Sequence, residues 1–120
     1  MITEIVVFDL PEGVTRADVL GLYRKSANDW LANPDLVEKY YFFDEERRLG
    51  GGVYIWRTRE AVERWHGEAY REMVQFRYGA PPRIQCFDAV MHVDPIGGAI
   101  TELERDNPFP PSRGKGSCEA

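Results

Sequence analysis

Residues 50–65 read GGGVYIWRTREAVERW, and no other stretch restricts the fold as tightly. Three glycines open a β-branched and aromatic run, Val53 to Trp56, and Thr58 follows at once as a helix N-cap, with Glu60 and Glu63 in the first turns where negative charge complements the helix dipole. A strand therefore passes into a helix with almost no loop. Because strand side chains alternate, Val53 and Ile55 share one face and Tyr54 and Trp56 the other. The smaller pair is expected beneath helices and the larger pair against something wider. Val62, Trp65, Ala69, Met73 and Phe76 step by three or four, so the spacing predicts one helix from Thr58 to Gly79 with Trp65 on its buried stripe.

The rest of the chain fits around this joint. Ile2 to Leu10 is a β-branched run stopped by Pro11, Glu12 and Gly13. Thr15 and Asp18 form a capping box, after which Val19, Leu22, Tyr23, Ala27, Trp30 and Leu31 recur at helical spacing until Pro34 forbids continuation. Leu36 to Phe43 is a second, aromatic strand, joined to Leu49–Trp56 by the charged hairpin loop 44–48. Arg83 to Val93 reads as one long fourth strand. From Ile96 onward glycine, proline and small polar residues take over, with a short helix expected near 99–105. Residues 1–95 are thus read as one domain and 96–120 as a Gly/Pro-rich C-terminal extension. Gly114 to Ser117 lacks the preceding strand and glycine spacing of a phosphate loop.

The order strand, helix, strand, strand, helix, strand gives, with right-handed crossovers, an α+β, ferredoxin-like fold with a four-stranded antiparallel sheet and both helices on one face. Strands one, three and four carry large apolar residues on both parities, so the uncovered face is expected to pair with that of a second copy in a homodimer. The formal net charge of -5 argues against a nucleic-acid footprint, which needs a basic face. No apolar run is long enough to span a bilayer and the N-terminus lacks a signal peptide's basic region and apolar core, so no membrane partner and a cytoplasmic location are expected. Cys86 and Cys118 are too few and too differently placed for a disulfide framework, and both are expected reduced; with only His66 and His92 besides, no metal-ligand spacing is present.

The segments GGVYIW, TREAVERW, RYGAPP and CFDAVMHVDP, with PDLVEKYYFFDEE before them, resemble in order and spacing the YdhR-like monooxygenases, a branch of the dimeric α/β-barrel superfamily of antibiotic-biosynthesis-type monooxygenases. The resemblance covers roughly residues 1–95 and implies a dimeric α/β barrel. It also implies a cofactor-independent monooxygenase for a small aromatic or polycyclic phenol or anthrone-like substrate. Such a substrate, once deprotonated, gives an electron to dioxygen itself, so the protein need only stabilise the anion and hold the ring in an apolar pocket. A non-catalytic small-ligand-binding or stress-related dimer is the alternative that the same fold allows.

On that reading His66 and Tyr54 are the catalytic candidates, and Tyr41, Trp56, Trp65 and Lys39 the substrate-binding ones. His66 alone among them has an unperturbed pKa near neutrality, yet it follows the apolar stripe by one position and, read by position alone, is a solvated edge residue. Read by position alone, Trp65 belongs to the core and Lys39 to an edge strand, while Tyr54 and Trp56 suit a dimer interface at least as well as a substrate. Asp88, among apolar neighbours, is expected to be satisfied by a nearby arginine. The haem-degrading enzymes of the same superfamily are similar at Trp56 and Trp65, but Gln75 stands where they carry an axial histidine and the first strand has no asparagine. No haem and no other cofactor is expected.

Overall fold

A computed structural model describes residues 1–105 of the chain. Its elements are β1 (Ile2–Asp9), α1 (Arg16–Leu31), β2 (Leu36–Asp44), β3 (Leu49–Trp56), α2 (Arg59–Trp65), α3 (Glu68–Tyr78), β4 (Arg83–Asp88), β5 (Met91–Asp94) and β6 (Ala99–Glu102). Strands β1 to β4 form an antiparallel sheet in the order β2-β3-β1-β4, an α+β arrangement compatible with a ferredoxin-like fold. β5 and β6 form a separate two-stranded hairpin. None of the described helices is long and apolar enough to cross a membrane.

The helices cover one face of the sheet, and the strand periodicity decides which residues they meet. On β1 the buried positions are Ile2, Val6 and Phe8, with Glu4 among them; opposite these on β3 lie Trp56, Gly52, Gly50 and Tyr54. The large aromatic pair therefore lies beneath the helices, and Val53 and Ile55 occupy the uncovered face, the reverse of the expectation from size. The glycines make this possible. A Cβ on Gly50 would come within 2.7 Å of the Tyr23 hydroxyl, and one on Gly51, whose φ is +152°, would overlap the Val6 carbonyl oxygen. With β3 stripped of side chains there, Tyr23 from α1 reaches the backbone. Its hydroxyl accepts from Gly51 N and donates to Phe42 O, both at 3.0 Å, bridging β2 and β3.

Helix α1 starts as its sequence requires: Asp18 N donates to Thr15 Oγ1 and Thr15 N to Asp18 Oδ2, and Val19 and Tyr23 form its buried line. The single helix expected over 58–79 is instead two. His66 N still donates to Val62 O at 2.7 Å, but His66 leaves helical geometry (φ −121°, ψ 37°) and Gly67 (φ −76°, ψ −160°) caps α3. Glycine holds a helix poorly, and the break turns His66 into the core. The buried line then runs Val62, His66, Tyr70, Val74 and Tyr78, one residue beyond the expected stripe, which leaves Trp65 at 40% and Phe76 at 93% exposure.

Three corrections concern the C-terminal part of the chain. The expected fourth strand stops at Asp88 and resumes as β5, with Ala89 N bonded back to Met1 O, and the helix expected over 99–105 is the strand β6. Cys86, expected reduced, is disulfide-bonded; Cys118 and Gly114 to Ser117 lie outside the described residues.

Candidate functional site

A cavity of about 300 Å³ opens between α1, α3 and the covered face of the sheet. Half of its lining is aromatic, including Tyr23, Trp30, Tyr41, Tyr54 and Tyr70, and Lys39, Arg77 and Asp29 are its charged members. That size lies at the lower end for small-molecule sites.

Lys39 reaches this cavity because of an irregularity in β2. The β2/β3 register pairs Leu36 with Trp56 and then Glu38 with Ile55, so Val37 is an extra residue. The bulge reverses the parity of the residues after it and sets Lys39 opposite Tyr54, on the helix-covered face. Gly52 leaves room for the stem: a Cβ there would stand 3.2 Å from Lys39 Cε. The ammonium nitrogen lies 3.8 Å from the Tyr41 ring centroid and 4.4 Å from those of Trp30 and Tyr54. Among the described residues, Lys39 Nζ has no hydrogen-bond or ion-pair partner. Burial pulls its pKa down to about 7, against the opposing field of Glu4. Three ring faces also favour the cation, so the amine is balanced between its two states near neutrality.

Behind the cavity wall lies a second polar group. Glu4 and His66 are both fully buried, and His66 Nδ1 is 2.6 Å from Glu4 Oε1, which also accepts from Trp56 Nε1 at 2.8 Å. Burial lowers the His66 pKa, with the Glu4 hydrogen bond opposing. A neutral imidazole donating from Nδ1 to that oxygen leaves Nε2 as a bare acceptor. His66 Nε2 and Glu4 Oε2 are both buried without a hydrogen-bond partner. The imidazole is enclosed by rings: Tyr70 stacks on it at 3.9 Å, and Tyr54, Trp30 and Trp56 meet it edge-on at 4.5 to 5.3 Å. The Tyr54 and Tyr70 hydroxyls are 3.5 Å apart, and burial raises both pKa values, so both keep their protons at neutral pH.

Of the residues singled out from sequence, Lys39, Tyr41, Tyr54 and Trp65 line the cavity. Trp65 does so from its rim, with its indole N–H donating to Asp35 Oδ2 at 2.9 Å, a contact shared with Arg64. Trp56 and His66 stand behind the wall with Glu4. His66 is thus neither a solvated edge nor a lining residue. Asp88 keeps Oδ1 buried and without a hydrogen-bond partner. Sequence reasoning passed over Glu4, Trp30 and Tyr70. Glu4 had a legible signal, since it is the one charged residue in the apolar alternation Ile2, Glu4, Val6, Phe8. Tyr70 had none until the helix break fixed the phase of α3.

No family model matches the chain, and no curated protein matches it.

Proposed function

We propose that the chain is a cofactor-independent monooxygenase whose cavity takes a small phenol or anthrone-like aromatic. The observation that supports it most is Lys39, an amine with a pKa pulled to about 7, set among the ring faces of Trp30, Tyr41 and Tyr54 in a cavity of about 300 Å³. The rings hold a flat substrate by stacking. Lys39, in its neutral form, takes the acidic proton, and the resulting ammonium pairs with the phenolate or enolate. The Tyr54 hydroxyl donates a hydrogen bond to the same oxygen. The electron-rich anion then reduces dioxygen directly; for an anthrone-type methylene the balance is CH₂ plus O₂ giving C=O plus H₂O. Glu4 and His66 act behind the wall, keeping Tyr54, Trp56 and Tyr70 in place.

The proposed active form is a homodimer, a dimeric α/β barrel formed through the uncovered sheet face. Ile5, Val7, Phe42, Val53, Ile55 and Phe87 lie on that face without a helix over them. A contiguous apolar surface of this kind favours association.

A second reading, a non-catalytic binder of the same ligands, draws on the sealing of Glu4 and His66 away from the cavity. Oxygen consumption with phenols, anthrones and quinols separates the two: the first requires uptake that depends on Lys39, the second ligand binding without uptake.

A further inference from the structure

We infer that Lys39 is also a nucleophile, condensing reversibly with an aromatic aldehyde or ketone held in the cavity to form an imine. This shares the cavity with the proposed oxygenase reaction but needs no dioxygen, so either can fail without the other.

The placement of Lys39 is the starting observation. A lysine drawn under a sheet face is ordinarily held by a carboxylate. Here Glu4, two strands away on β1, makes no ion pair with the amine and turns Oε1 to Trp56 and His66 instead. The amine instead has only ring faces around it, at 3.8 to 4.4 Å. A desolvated amine of depressed pKa carries a free lone pair at neutral pH, which is the condition for attack on a carbonyl.

The surroundings fit the remaining requirements. Trp30, Tyr41 and Tyr54 surround Nζ with ring surface, and an aryl aldehyde entering the cavity would lie against the half-buried Trp30 and Tyr41 with its carbonyl carbon toward Nζ. The lone pair forms the C–N bond while the carbonyl π pair moves to oxygen, and transfer of a proton from nitrogen to that oxygen gives a carbinolamine. Loss of the oxygen as water, after protonation by a neutral phenol, leaves C=N. Tyr54 is such a phenol, and the proton left on the iminium nitrogen returns to its phenolate, directly or through Tyr70, 3.5 Å away, so that C=N is neutral and both phenols are restored. Amine plus aldehyde gives imine plus water, with no oxidant or reductant consumed.

The sequence provides an internal control, because its lysines are Lys25, Lys39 and Lys115. The full chain is incubated at pH 7 with 2-naphthaldehyde and cyanoborohydride, which reduces an imine to a stable secondary amine, and the modified lysines are mapped by mass spectrometry. Lys39 is expected to label at least about tenfold faster than Lys25 and Lys115, given the lower proton affinity of its amine. Excess 2-naphthol should suppress labelling at Lys39 alone, and Lys39→Arg should remove it while leaving the other two unchanged. Equal labelling of the three lysines, or slower labelling at Lys39, would overturn the inference; this comparison within the unaltered chain stands even if the arginine variant does not fold.

Discussion

His66 Nδ1 lies 2.6 Å from Glu4 Oε1, and both side chains are completely withdrawn from solvent. One residue comes from the middle of β1 and the other from the break between α2 and α3. Their contact therefore ties the second helical segment to the sheet and sets the phase of α3, which presents Tyr70, Val74 and Tyr78 to the cavity.

Removing one partner leaves the other buried without compensation. Glu4→Ala should cost about 3 kcal/mol, because His66 and the Trp56 N–H both lose their acceptor. Glu4→Met combined with His66→Phe should cost clearly less than the sum of the single changes. Urea unfolding of the four proteins measures this coupling, and simple additivity would mean the contact contributes nothing of its own.

The same histidine gives stability an acid-side dependence. Its pKa is held below 6.5 in the folded chain by burial. As pH falls through 6.5 the unfolded chain takes up a proton that the folded chain refuses, so stability declines from there down to the folded value. Chemical unfolding as a function of pH should show this slope in the native sequence and a shallower one in His66→Phe.

Lys39 acts in the alkaline range. With its pKa lowered from 10.5 to about 7, the unfolded chain holds the extra proton between those values and stability rises with pH across the window. Lys39→Met keeps the length of the stem, removes the buried amine, and should raise stability at pH 7 by about 1 to 3 kcal/mol while flattening that rise. A variant that is more stable yet loses ligand handling identifies a residue retained for function.

The glycine run has a separate test. Gly51→Ala must place a methyl group against the Val6 carbonyl at a φ of +152°, and should cost about 3 kcal/mol or more. Gly21→Ala, on α1 with nothing within 4 Å of the new Cβ, should instead stabilise by about 0.5 to 1 kcal/mol. Thermal melts of the two variants should move in opposite directions.

Much of the fold was legible because local signals agreed with one another. The Thr15 and Thr58 caps, the glycine-opened strand and the stop at Gly79 all stand where the residues put them. The errors share a cause, in that a tertiary contact overrode a local pattern. The apolar spacing through Trp65 and Phe76 suggested one uninterrupted helix, but the bond to Glu4 and the weak helix former Gly67 shifted the phase by one residue. Size alone misassigned the faces of β3, because the space above Tyr54 and Trp56 comes from the glycines before them and from α1. Lys39 could be seen as odd in its strand, but only the bulge at Val37 turns it inward, and a bulge leaves no fixed mark in a single sequence.

The most direct test of the proposed function is oxygen uptake with an anthrone or naphthol substrate, followed from about pH 6 to about pH 9 in the native sequence and in Lys39→Met and Lys25→Met. Uptake is expected to match product formation one to one, to rise with pH with a midpoint near 7 as Lys39 loses its proton, to vanish in Lys39→Met and to persist in Lys25→Met. Uptake that survives in Lys39→Met with an unchanged pH profile would contradict the role assigned to the cavity amine.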